Sequence, residues 1–150
     1  MLALLQRVSS ASVTVENKLV GQIGSGLVIL LGIKNGDSDE DVRYVADKCV
    51  NLRIFQDKDG KLNRSLIEEQ GEILVVSQFT LYGDTRKGRR PSYTDSAPPE
   101  IAEPLYEHFV EYLQEQGFGV ATGIFGAYMQ VEIHNDGPVT VFVKSKGEKL

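Results

Sequence analysis

The chain has 150 residues, 41% hydrophobic and 25% charged, with a formal net charge of −5. That is the length of one domain with room for a real core, at the composition of an ordinary soluble globular protein. The acidic balance argues against a general nucleic-acid binder, and no apolar run reaches the ~18 residues needed to span a membrane.

Cys49 is the only cysteine, which excludes an internal disulfide and a cysteine zinc site. His108 and His134 are the only histidines, and neither sits in a cluster with metal-ligand spacing. Catalysis is therefore expected to use no metal, no cofactor and no imidazole. The stretch Met1 to Arg7 is too short for a signal peptide and runs directly into a strand pattern, so the chain is expected in the cytoplasm.

Residues 2–33 read as β-structure. Val13-Thr14-Val15 alternates, Asn17-Lys18 turns the chain, and Leu19 to Ile23 returns as a second strand. The unbroken apolar run Leu27 to Ile33 suits a strand buried on both faces. Ser38 followed by Asp41 resembles a capping box, and Val42, Val45, Ala46, Cys49 and Val50 recur at helical spacing, which predicts a helix over 38–51. Cys49 falls on that stripe as a core thiol. Leu52 to Phe55 is expected to leave the helix as a strand, with a turn at Asp57 to Lys61.

Glu72 to Val76 predicts a central strand that delivers Ser77-Gln78-Phe79-Thr80-Leu81 at its end. Arg86-Lys87-Gly88-Arg89-Arg90 follows as a loop with four cations in five residues, either a phosphate contact or a solvated loop. Pro98 and Pro99 mark a second helix start, with Ile101, Leu105, Phe109 and Leu113 on one face and Gly117 as its cap. Val120 to Gly123, Met129 to His134 and Val139 to Val143 predict the last strands. Lys144 to Leu150 is expected to be a charged tail with no core to join. The whole predicts a single domain, residues 1–150, of α/β class: a curved, barrel-like β-sheet with two main helices packed outside.

Two segments carry chemistry. Ser77, Gln78 and Thr80 place two hydroxyls and an amide at a strand end, where a rigid scaffold presents them. They read either as a site or as a strand continuing with alternating faces. Asn135-Asp136-Gly137-Pro138-Val139-Thr140 reads either as an ordinary hairpin turn or as a rigid piece of exposed main chain, because glycine opens backbone angles and proline closes them.

Together, Ser77-Gln78-Phe79-Thr80-Leu81 and Asn135-Asp136-Gly137-Pro138-Val139-Thr140 resemble the two signature motifs of the D-aminoacyl-tRNA deacylases. The likeness extends over nearly the whole chain, through Gln6-Arg7-Val8, Ala11 to Val15, Asn51 to Phe55 and Asp84 to Pro91. It implies the fold of that family and a cytosolic homodimer that hydrolyses the ester joining a D-amino acid, or glycine, to tRNA. It implies that Gly137 and Pro138, joined by a cis bond, reach into the partner's pocket as a main-chain filter against L side chains. Ser77, Gln78 and Phe79 would line the pocket at the ester, with Met129 packed nearby. Thr80 would serve as nucleophile, or would yield that role to water activated by the tRNA's own 2′-hydroxyl. Threonine without a base is a poor nucleophile, and the motif holds no histidine or lysine; backbone N–H groups near Gln78 and Phe79 would suffice as an oxyanion site. Arg86, Lys87, Arg89 and Arg90 would hold phosphates of the tRNA acceptor end. Tyr128 departs from the family's pattern, which has an acidic residue there. A non-catalytic RNA-binding or scaffold protein of the same fold, and an editing module for L-amino acids, are the competing readings.

Overall fold

A computed structural model describes residues 1–149. The alternating apolar residues of the N-terminus form one long strand, β1 (Leu2–Val15), which turns through Glu16 and Asn17, both at positive φ, into β2 (Lys18–Ile23). That two-residue turn twists the way a hairpin needs. β3 (Gly26–Gly32) follows, antiparallel to β1 from Leu2↔Gly32 to Val8↔Gly26.

α1 (Asp39–Asn51) starts where predicted: the Ser38 N–H donates to the Asp41 carboxylate at 3.0 Å, and all five stripe residues are buried. The strand expected over 52–55 is shorter and later, β4 (Phe55–Gln56), paired with β5 (Leu62–Arg64) in a small ribbon. A short α2 (Leu66–Glu69), capped by Ser65 and Glu68, was not predicted. β6 (Glu72–Ser77) runs parallel to β3, and β7 (Val120–Thr122) runs parallel to β6.

α3 (Pro99–Glu115) buries Phe109 and Leu113 as expected and Leu105 in part, but its inward face is rotated away from Ile101. Ala102, Tyr106, Phe109, Val110 and Leu113 point inward, whereas Ile101 is 46% exposed. The Tyr106 hydroxyl donates to the Val75 carbonyl at 2.9 Å, which helps set the helix's rotation on β6. Gly117, at φ +93°, ends the helix, with Phe118 N–H returning to Leu113 O.

The sheet order is β2-β1-β3-β6-β7, with β8 (Gln130–Lys144) on the other side of β1. β2 then approaches β7, and a side chain at Gly21 would strike the Thr122 carbonyl, so the barrel nearly closes on a glycine. Strand residues of alternating direction feed two cores. Leu27, Ile29, Leu31, Ile73 and Val75 pack against α1 and α3, while Val28, Leu74 and Val76 face Val8, Val13 and Ile23 inside the barrel. This explains why β3 and β6 carry apolar residues without alternation.

Two expectations are corrected here. The segments expected as separate strands around a turn at 135–138 form one strand, β8, whose pairing with β1 jumps from Val8↔Asn135 to Gln6↔Thr140. Residues 136–139 bulge out opposite Arg7 and reverse nothing. The charged tail also docks: Ser145 and the side chain of Glu148 are buried, and the Met1 ammonium donates to Ser145 Oγ (2.9 Å) and Asp37 Oδ1 (2.6 Å). Leu150 lies outside the described residues.

Candidate active site

β6 ends at Ser77, level with Leu31 of β3, and Gln78 still uses the sheet: its N–H donates to the Leu31 carbonyl at 2.8 Å. The chain then leaves the strand as a 3₁₀ turn over Phe79–Tyr82. Ser77, Gln78, Phe79 and Thr80 thereby line one side of a cleft of about 730 Å³. Tyr93, Ala97 and the Pro98-Pro99 start of α3 line another side, and Phe125 to Met129 a third. Phe79 meets Tyr93 edge-on with ring centroids 5.1 Å apart, and Ser96 Oγ donates to the Phe79 carbonyl at 3.0 Å. Met129 packs against Gly123, whose missing side chain leaves room for the sulfur.

Among the described residues, no carboxylate, imidazole, amine or guanidinium lines this cleft. The Thr80 hydroxyl accepts a hydrogen bond from Gln78 Nε2, and the residues lining the cleft beside it include no base. Both histidines lie elsewhere, His108 against Asp39 at 2.7 Å and His134 against Glu132 at 3.0 Å. Cys49 is in the core, where burial pushes its thiol pKa far up and leaves it unreactive. Of the amides considered for an oxyanion site, that of Gln78 is spent on the sheet. Those of Phe79 and Thr80 open the 3₁₀ turn and have no partner among the described residues, as helix starts leave their first N–H groups free.

Gly137 and Pro138 do not line the cleft of their own chain. They sit on the exposed β8 bulge, joined by a cis peptide bond. Gly137 has φ +131°, and a Cβ there would lie 2.9 Å from Val139 Cγ2 and 3.0 Å from Arg7 Nη2. Only glycine fits. Asn135 braces the bulge by accepting from Val139 N–H (3.1 Å) and donating to Thr140 Oγ1 (2.9 Å).

Arg7, which sequence reasoning left without a role, is the chief brace. The residue is 6% exposed, with Nε donating to the Asp136 carbonyl at 3.1 Å and Nη1 to the Ile54 carbonyl at 2.9 Å. Nε also lies 3.4 Å from the Asp136 carboxylate. A signal was present: one arginine amid the apolar residues of β1 must face buried acceptors.

The basic loop is pinched off by paired backbone bonds between Asp84 and Ser92 (2.8 and 2.9 Å), one residue before Tyr93 at the cleft. Arg86 turns back onto Asp84 in a bidentate pair (2.8 and 2.7 Å), which pulls the Asp84 pKa down to about 2. Lys87, Arg89 and Arg90 are exposed and form no ion pair among the described residues. Tyr128 stands 91% exposed at the cleft rim.

Residues 4–144 match the family model described as D-Tyr-tRNA(Tyr) deacylase. The D-aminoacyl-tRNA deacylase of Fervidobacterium nodosum is 60% identical over 146 residues, covering 97% of this chain and 98% of the relative. That of Thermosipho africanus is 57% identical over the same shares of both chains. Among solved structures, a c-Myc DNA unwinding element binding protein superposes with a TM-score of 0.91 at 43% identity, covering 97% of this chain and 99% of the other. A probable eukaryotic D-amino acid tRNA deacylase shares the fold, with a TM-score of 0.78 at 21% identity over 95% of this chain and 97% of the other. With its barrel, its cleft at the end of β6 and these relatives, the chain belongs to the D-Tyr-tRNA(Tyr) deacylase family.

Proposed function

We propose that this protein hydrolyses the ester between a D-amino acid and the 3′-terminal ribose of tRNA, and the same ester of mischarged glycine, sparing L-aminoacyl-tRNA. The observation that carries the reading is the cleft at the end of β6: main-chain donors and neutral polar side chains, with no acid or base, in a chain matched to the family from residue 4 to 144.

In this mechanism the ester carbonyl faces the free amides of Phe79 and Thr80, which stabilise the oxyanion as water adds. The 2′-hydroxyl of the terminal ribose, not Thr80, prompts the attack, because Thr80 has an amide donor and no base beside it. The acyl–oxygen bond breaks, the amino acid leaves as its carboxylate, one proton of the added water passes to the ribose 3′-oxygen, and the other is lost to solvent. Ser77, Gln78 and Met129 shape the walls around the reacting ester.

Selection is assigned to Gly137 and Pro138 of a second subunit. In support, they lie outside their own cleft, project on a bulge, and are held rigid by Arg7 and Asn135. A rigid main-chain wall rejects an L side chain while a D side chain points away from it and glycine has none. Lys87, Arg89 and Arg90, with Arg86 held on Asp84, bind acceptor-end phosphates without sequence choice. The protein acts in the cytoplasm, where aminoacyl-tRNA is used; no helix among the described residues is long and apolar enough to cross a membrane.

The test is deacylation of D-tyrosyl-, L-tyrosyl- and glycyl-tRNA by the purified protein. Release of the D and glycyl esters with the L ester spared supports the reading; equal rates on all three, or none, overturn it.

A further inference from the structure

The 3₁₀ turn that presents Phe79 and Thr80 has only four residues, and such turns do not hold their shape alone. The bonds at its two ends are Leu81 N–H to Gln78 O at 3.3 Å and Gly83 N–H to Thr80 O at 3.0 Å. Its start is fixed by the sheet through Gln78. Its end is fixed by Tyr82, whose ring lies against Gly32, where a Cβ would stand 3.2 Å from Cε2. The Tyr82 hydroxyl donates to Glu148 Oε2 at 3.2 Å.

Glu148 is an unusual anchor because it comes from the C-terminal tail, 66 residues along the chain, yet its side chain is only 5% exposed. A buried carboxylate needs partners. It has Lys34 Nζ at 3.1 Å on the other oxygen, the Met1 ammonium at 3.6 Å and the Tyr82 phenol. Its own N–H donates to Ser145 O at 3.2 Å, which sets the tail's direction. Burial pulls its pKa up, but Lys34 and the ammonium outweigh that and hold it below the ordinary glutamate value.

We infer that Tyr82 and Glu148 are positioning residues, through which the C-terminal tail holds the Phe79 and Thr80 amides at the angle the reaction needs. Neither lines the cleft in which the ester would sit. The inference rests on the deacylase reading, and its role there is to lock the oxyanion donors. Catalytic donors must be held within a fraction of an ångström, and small displacements cost large factors in rate.

The test compares Tyr82→Phe, Glu148→Ala and the double variant in two measurements. In hydrogen exchange, both single variants should speed the Leu81 and Gly83 amides about tenfold, with β1 and α1 amides unchanged. In deacylation of D-tyrosyl-tRNA, kcat should fall about tenfold while KM stays within about twofold, because the tRNA contacts remain. The double variant should lose little more than either single, since both cut one tether. Glu148→Gln, which keeps an acceptor for the phenol, should recover part of kcat. Unchanged exchange in the turn overturns the tether, and loosened amides with wild-type kcat overturn its role in the reaction. Wild-type protein inert on D-tyrosyl-tRNA would overturn the deacylase reading, and with it the catalytic role; the exchange rates alone then decide the tether.

Discussion

Thr80 offers a hydroxyl to the cleft with nothing beside it to take the proton. Its Oγ1 accepts from Gln78 Nε2, and the lining supplies no acid or base. Under the proposed mechanism Thr80→Val should therefore keep deacylation of D-tyrosyl-tRNA within about tenfold of wild type, whereas removal of a true nucleophile costs ~10⁴-fold or more. The pH profile of kcat/KM should likewise show no protein inflection between about pH 5 and 8, the window in which a histidine or raised carboxylate would appear. A bell-shaped profile there would point to a base brought in from outside this cleft.

Arg7 is the residue on which the bulge depends. Arg7→Met removes the donor shared by the Asp136 and Ile54 carbonyls, and leaving buried acceptors unpaired costs about 3 kcal/mol. Denaturant unfolding should show that loss. The rate ratio between D- and L-tyrosyl-tRNA should fall as the bulge loosens, even in molecules that remain folded.

Among the elements, those whose partners lie nearby in sequence were the legible ones. α1 could be read residue by residue, because its cap, its acidic first turn and its stripe are all local. β3 and β6 were legible from their short unbroken apolar runs, which suit a strand buried on both faces. The end of β6 was legible as a place for a site, but its bend into a 3₁₀ turn was not. That bend is set by Leu31, Gly32 and Tyr82 together.

The β8 bulge illustrates the limit. Asn, Asp, Gly and Pro have the same local chemistry in a hairpin turn and in a bulge. What separates the two is a register jump against β1 and a buried arginine 129 residues away. The tail failed for the same reason: Asp37, Lys34 and Tyr82, which dock it, are invisible from Lys144 onward. On α3, Ile101 fits an i, i+4 face by spacing, but the rotation set by Tyr106 on Val75 turns it outward.

Among the described residues Lys87, Arg89 and Arg90 of the basic loop form no ion pair while Arg86 is engaged with Asp84, whose pKa that contact pulls down to about 2, so the carboxylate stays charged at any pH well above that. Lys87→Gln, Arg89→Gln and Arg90→Gln together should raise KM and reduce the salt slope by about two to three phosphate contacts. Arg86→Gln should do less. The D-over-L rate ratio should not move, and a shift in it would place the loop in selection as well as in affinity.

At the scale of the molecule, the proposed catalytic cleft and the proposed filter are different parts of one chain that do not meet within it. β8 begins just after Met129 beside the cleft and carries Gly137-Pro138 halfway along, and its outer edge is unpaired among the described strands. A long open edge invites a second copy. The proposal that the filter acts between subunits is tested most directly by mixing two variants. One, Gly137→Ala with Pro138→Ala, loses the filter and should hydrolyse L-tyrosyl-tRNA as well as the D ester. The other, Ser77→Trp, keeps the filter and fills the cleft, and should be inert by itself. In a purified heterodimer the sole open cleft belongs to the filter-less chain and faces the intact filter of its partner. Such a heterodimer should hydrolyse D-tyrosyl-tRNA and again spare L-tyrosyl-tRNA; continued hydrolysis of the L ester would contradict a filter that works across the interface.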